Sequence, residues 1–148
     1  MGAKITVDHR IVVAKAQDVV WDYTQDWTRR TELDFSVARA EILSDRPRVI
    51  RVSSRGGGSF EVSYKQTDRP RKTSLAMTSF TSFWLRGGGG SWRYDETDGG
   101  TTWSQRNTLI LRDGFLGSLF APFFRWILRR ATIDGMNRAR KILESQVQ

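Results

Sequence analysis

The sequence predicts an α+β fold in which a curved antiparallel sheet of about seven strands wraps one long C-terminal helix. Three observations carry this. A strand pattern opens the chain and is followed by two short helical stretches. Six further strand patterns come next with only short turn signals between them, which implies an antiparallel meander. After Asp113-Gly114 the apolar period becomes helical and stays so to the end of the chain. A sheet of that size must bury its apolar face, and the last helix is the only element long enough to cover it.

The elements follow in order. Ile5 to Ala14 alternates, with Ile5, Val7, His9, Ile11 and Val13 on one face. Ala16 to Tyr23 places Val19, Val20 and Tyr23 at helical spacing, and Asp26 is a cap for a second short helix through Glu32. The strand candidates are Val37 to Leu43, Val49 to Ser53, Phe60 to Gln66, Thr73 to Phe80, Ser91 to Glu96 and Thr101 to Leu111. Turn residues separate most of them: Asp45 to Pro47, Gly56 to Gly58, Asp68 to Pro70, and Asp98-Gly99-Gly100. Phe115 to about Val147 reads as helix, with a start or kink expected near Pro122. Its later half is amphipathic, setting Ile133, Met136, Ile142 and Leu143 against Asn137, Arg138, Arg140 and Lys141. No repeat or linker breaks the chain, so residues 1–148 are expected to form one domain. A curved sheet cannot close tightly on a helix along its whole length, and an internal cavity is the expected consequence.

Composition narrows the functional classes. With 148 residues, 39% hydrophobic and 27% charged, the chain suits one globular core. The absence of cysteine removes disulfide frameworks, thiolate zinc sites and thiol nucleophiles. One histidine and no tight carboxylate cluster leave no metal site to expect, and no cofactor motif is present. Gly2 and Thr6 have the spacing of a myristoylation signal, but Gly2 more simply precedes a strand. No apolar run reaches membrane-spanning length and no secretory leader opens the chain, so the expectation is a soluble, cytoplasmic, unanchored protein. The net charge of +8, with 24 basic residues of which most are arginine, favours anionic partners. Because those residues are scattered, nucleic acid is not the expected partner.

This order of elements resembles the START-like superfamily, also called the Bet v 1-like or SRPBCC group, which includes polyketide cyclase/dehydrase-like and lipid-transfer proteins. Four passages carry the resemblance. The opening strand leads into Ala14-Lys15-Ala16, then Val19, Val20, Trp21 and Asp26. Glu32-Leu33-Asp34-Phe35-Ser36-Val37 is similar to the segment entering the second strand. Trp92-Arg93-Tyr94 with Asp98-Gly99-Gly100-Thr101 resembles the last hairpin. Gly114-Phe115-Leu116-Gly117 before Pro122, closing on Lys141-Ile142-Leu143-Glu144, resembles the terminal helix. Lys15, Leu33 and Phe35 depart from the usual Pro, Trp and Pro. The resemblance implies a helix-grip fold with a ligand cavity. It implies no common catalytic set, and fold alone does not fix function.

Face parity selects the candidate site. The concave face should carry His9, Phe60, Val62, Tyr64, Leu75, Met77, Trp92, Tyr94, Trp103, Gln105, Asn107 and Leu109. For each of these, packing is the ordinary reading. His9, Gln105 and Asn107 are the polar groups that would need partners there. His9 is the one histidine and the acid/base candidate, against the plainer reading of a solvated residue at the sheet edge. Asp22 and Asp26 stand four apart, and a surface ion pair with Arg29 or Arg30, plus a cap, is their expected use. Gly56 to Gly58 reads as a hairpin tip, and Gly87 to Gly90 as a bend or bulge in a curved sheet; neither has the context of a phosphate loop.

Phe115 to Arg130 is apolar nearly all round. Its second face has four open fates: cover by the sheet, a cavity roof built with Phe120 and Phe124, contact with a membrane surface, or a dimer interface. The leading functional expectation is therefore binding of a small hydrophobic or aromatic molecule, lipid-like or polyketide-like, in an internal cavity. The alternatives are a polyketide cyclase or dehydratase using His9 or Tyr64, and a membrane-peripheral or protein-interaction module.

Overall fold

The computed structural model describes residues 2–55 and 57–146. Strand β1 (Lys4–Val13) is followed by helix α1 (Gln17–Thr24), a 3-10 turn (Trp27–Arg29) and helix α2 (Arg30–Leu33). Strands β2 (Val37–Asp45), β3 (Arg48–Ser54), β4 (Ser59–Asp68), β5 (Lys72–Phe80), β6 (Leu85–Thr97) and β7 (Gly100–Leu111) come next, and helix α3 (Phe115–Ser145) ends the described chain. The seven strands form one antiparallel sheet in the order β1-β7-β6-β5-β4-β3-β2. The chain therefore meanders from β2 to β7 and then finds β1 on the far edge of β7. This is the helix-grip α+β architecture.

The alternation expected of β1 is observed: Ile5, Val7, Ile11 and Val13 are buried and their neighbours are not. Asp26 caps the segment after α1, its carboxylate accepting from the Thr28 amide at 3.0 Å. That segment is not one helix through Glu32. It is a 3-10 turn passing into a four-residue α2, because so short a stretch is held by its side-chain contacts rather than by its own ladder. Helix α3 begins at Phe115 and runs through Pro122, so the proline does not mark a start. Gly114 precedes it with φ of 92°. The expected helix end at Val147 lies outside the described residues.

The largest departure is β6. It starts at Leu85, six residues earlier than Ser91, and absorbs the whole glycine run. The register shifts between Leu85 and Gly87, which is the irregularity a strongly bent sheet requires. Glycine is needed here for space. A Cβ on Gly88 would lie 2.7 Å from the Thr108 carbonyl oxygen, and one on Gly89 2.7 Å from that of Leu75. At the β3–β4 hairpin, Gly57 and Gly58 both have positive φ; Gly56 lies outside the described residues.

The core sits between the sheet and the helices. One large cluster joins Trp21, Trp27, Val37, Ile50, Val52, Val62, Trp92, Tyr94 and Trp103 to Met136, Ala139 and Leu143 of α3. A smaller one joins Ile5, Val7 and Leu111 to Phe124 and Leu128, at the opposite end of α3. Between the two clusters the sheet and helix separate. No described helix is long and apolar enough to cross a membrane.

Candidate functional site

The separation leaves a partly open cavity of about 260 Å³. Its sheet walls are Val37, Val52, Phe60, Val62, Leu75, Met77 and Leu109, and its helical wall is Phe124, Ile127, Leu128, Ala131, Thr132 and Gly135 of α3. Trp27, Arg30, Leu33 and Asp34 close one end, Gly89 lines it with its backbone, and Gly90 lines it where a side chain would fill it. A Cβ on Gly90 would stand 3.1 Å from the Asn107 side-chain oxygen and 3.3 Å from the Trp92 ring. The glycine run thus bends the sheet and also keeps the space open.

The polar groups of the cavity fall into two sets. On the α3 side they form a short relay. Gln105 donates from Nε2 to Asn107 Oδ1 at 3.3 Å, Asn107 donates from Nδ2 to Thr132 Oγ1 at 2.8 Å, and Thr132 donates to the Leu128 carbonyl at 2.8 Å. This satisfies part of the donor capacity of the buried Gln105 and half-buried Asn107 amides and ties β7 to the helix.

At the other end stands Arg30, only 6% exposed. It donates from an Nη to the Thr24 carbonyl at 3.1 Å, and its Nε lies 3.8 Å from Asp34 Oδ2. The guanidinium also lies 4.8 Å from the centroid of the Trp27 ring and 5.6 Å from that of the Trp92 ring. Rings and carboxylate together offset the cost of burying the charge. Arg30 Nε and the Trp92 indole N–H are buried and have no hydrogen-bond acceptor in the protein. An apolar chamber whose lining residues keep unspent donors suits an apolar guest that carries an oxygen.

Behind this end runs a buried network. Trp27 Nε1 donates to the Tyr64 hydroxyl at 2.8 Å, and that hydroxyl donates to Gln25 Oε1 at 2.7 Å. Gln25 Nε2 in turn donates to the Tyr94 hydroxyl at 2.7 Å. The Thr24 hydroxyl proton goes to the Val20 carbonyl, so the 2.6 Å contact of Tyr94 with Thr24 is donated by the tyrosine. Burial raises the pKa of both tyrosines, Tyr94 the more strongly.

Of the residues selected by face parity, Phe60, Val62, Leu75, Met77, Trp92, Gln105, Asn107 and Leu109 line the cavity, and so does Phe124 of the expected helical roof. Tyr64 does not; its hydroxyl is taken by Trp27 and Gln25. Trp103 is fully buried in the core, stacked on Tyr94 at 6.2 Å between centroids. Phe120 is 39% exposed and packs on Trp84 instead. His9 is also absent from the lining, because β1 is an edge strand whose inner face meets α3 directly. Its pKa is lowered by burial first, and then by the charges of Arg129 and Arg140. Asp22 pairs with Arg69 at 2.8 Å, and Arg29 with Glu32 at 2.9 Å, so neither Arg29 nor Arg30 pairs with Asp22.

Sequence reasoning missed Arg30, Trp27 and Asp34, having read the arginine as a surface residue. The signal available was the spacing of Trp27 and Arg30, one helical turn apart beside a strand region rich in tryptophan. Among the described residues no three His, Asp or Glu side chains gather to hold a metal.

Comparison with known proteins agrees with this fold. The sequence profile described as polyketide cyclase/dehydrase and lipid transport matches residues 4–144. A search of curated proteins finds no match. Among solved structures, the Zhui aromatase/cyclase from Streptomyces sp. R1128 superposes with a TM-score of 0.84 at 17% identity, covering 99% of this chain and 97% of that one. One half of the two-domain aromatase/cyclase StfQ of the steffimycin biosynthetic pathway gives 0.77 at 15% identity, covering 95% of this chain and 51% of that one. A START superfamily protein from Mycobacterium smegmatis gives 0.74 at 13% identity, covering 94% and 97%. The chain therefore belongs to the polyketide cyclase/dehydrase and lipid transport family.

Proposed function

We propose that this domain binds a compact hydrophobic or aromatic molecule in the cavity, with one of its oxygens directed at Arg30 and Trp92. The observation that carries the reading is a chamber with apolar walls whose lining also includes Arg30 and Trp92, each of which holds a buried N–H donor with no protein acceptor. The walls favour an apolar guest by roughly 25 cal/mol per Å² removed from water. The donors select for an acceptor oxygen, because leaving a buried donor unpaired costs about 1–3 kcal/mol. At about 260 Å³ the chamber is just below the usual range of roughly 300–1,000 Å³ for small-molecule sites, which suits a small ring system better than a long chain.

The test is native mass spectrometry of the purified protein, followed by titration with aromatic acids and phenols. Trp27 and Trp92 line the chamber, so their fluorescence should change on binding, and the melting temperature should rise with ligand concentration. A protein that carries no guest and is neither quenched nor stabilised by any compound of fitting size would remove the proposal.

A second reading is cyclisation of a polyketide chain, supported by the names of two of the structural neighbours. In this chamber the acid/base work would fall on Asp34 beside Arg30, since His9 does not line it. Asp34→Asn should then abolish turnover of a poly-β-ketone thioester while leaving affinity nearly intact. Equal loss of both would count against catalysis.

A further inference from the structure

The outer side of the first half of α3 is apolar and uncovered. Leu116, Leu119, Phe123 and Trp126 recur at three- and four-residue spacing, which sets them along one stripe of the helix. Leu119, Phe123 and Trp126 are 55%, 54% and 58% exposed. The patch does not end with the helix. Phe120 meets Trp84 at 5.1 Å between centroids, and Trp84 meets Phe83 at 5.2 Å, so it continues onto the β5–β6 loop, where Phe83 is 58% exposed. Ile127 is exposed and also lines the cavity, so the patch borders the chamber.

The rim of this patch is cationic. Arg112 lies over the Phe83 ring at 3.8 Å, and Arg130 over the Trp126 ring at 5.6 Å. Arg125 and Arg129 lie along one flank of the stripe, and among the described residues neither forms an ion pair. No acidic residue occurs between Gly114 and Ala131. Asp134, just beyond, is paired with Arg130 at 3.6 Å.

We infer that this face docks on an anionic lipid bilayer, with Phe83, Leu119, Phe123 and Trp126 entering the interface and Arg112, Arg125, Arg129 and Arg130 meeting lipid phosphates. A helix with aromatic and leucine side chains on one stripe and arginines beside it is the form that lies in a bilayer surface. The net charge of +8 draws the whole domain to such a surface. A second copy of the chain is the poorer occupant. A two-fold contact through this stripe would set the flanking arginines of one copy against those of the other, and Asp134, the acid nearest Arg129 and Arg130 along the helix, is already engaged by Arg130.

The test is co-sedimentation of the full chain with phosphatidylcholine vesicles, with and without phosphatidylglycerol, at low and high salt. Binding is expected only with the anionic lipid and should weaken as salt rises. Phe123→Asp and Trp126→Asp should abolish it, and Arg129→Gln and Arg130→Gln should each weaken it roughly fivefold. Val12→Asp, at an exposed position on β1, should change nothing. All five positions are exposed, and an unchanged melting temperature verifies folding. Equal binding to neutral vesicles, no binding at low salt, or a dimer in sedimentation velocity that Phe123→Asp breaks would each overturn the inference.

Discussion

Trp27 donates its indole N–H to the Tyr64 hydroxyl across 2.8 Å, and that bond ties the short helical segment to the middle of the sheet. The same hydroxyl serves Gln25, so one oxygen positions both the tryptophan that closes the cavity and the amide that reaches Tyr94. Tyr64→Phe leaves the Trp27 donor and the Gln25 acceptor unpaired. It should cost about 1–3 kcal/mol, read from urea unfolding. A change under about 0.5 kcal/mol would show that the network carries no stability.

Arg30 offers the sharpest test of ligand chemistry. Arg30→Met keeps much of the volume and removes the charge. Affinity for an aromatic carboxylate should fall roughly 10- to 100-fold, the range for a charged hydrogen bond. Affinity for the matching hydrocarbon should hold. Calorimetry on both probes separates the outcomes, and equal loss for both would mean that the arginine only shapes the chamber.

Gly89→Ala places a methyl group against the Leu75 carbonyl, which belongs to a neighbouring strand and cannot swing away. The backbone must shift, at a cost of about 1–3 kcal/mol. Because Gly89 lines the cavity, ligand affinity should drop as well. Thermal melts with and without ligand report both effects.

His9 predicts a pH effect without a binding effect. Its folded-state pKa lies below the ordinary value of about 6.5, chiefly through burial. The folded state therefore resists protonation, and the unfolded chain binds the extra proton first. Stability should be full above about pH 6.5 and fall as the pH drops towards the lowered folded value. His9→Gln should flatten this limb of the stability profile and leave ligand affinity at pH 8 unchanged. A large loss of affinity would place the imidazole in the site after all.

The alkaline limb has the opposite sign. The three tyrosines of the chain, Tyr23, Tyr64 and Tyr94, all have raised pKa values, chiefly through burial, and Tyr23 is pushed up to about 12. Their stabilising contribution is whole below about pH 10 and is lost as the pH climbs through the folded-state values. Ultraviolet titration should detect little tyrosinate until well above pH 10, and unfolding should then release it. Ordinary titration near pH 10 in the folded protein would contradict the buried network.

Much of the fold could be read along the chain. The alternation in β1, the turn signals and the change of period after Gly114 depend on neighbours within a few residues, and the structure keeps all three. The glycine run misled the boundary of β6. Glycine weakens a strand by propensity, whereas here the close carbonyls of Leu75 and Thr108 demand it, and those come from other strands.

The candidate site divides along the same line. Face parity put Phe60, Val62, Leu75, Met77, Gln105 and Asn107 on the inner surface, because alternation is a property of each strand by itself. Parity could not tell cavity from core on that surface, so it ranked Trp103 and His9 beside true lining residues. Which inner positions face open space depends on where α3 stands off the sheet. Arg30 was invisible for a related reason. Its charge favours water unless Trp27, Trp92 and Asp34 converge on it, and Trp92 lies on a distant strand that only the folded sheet brings within reach.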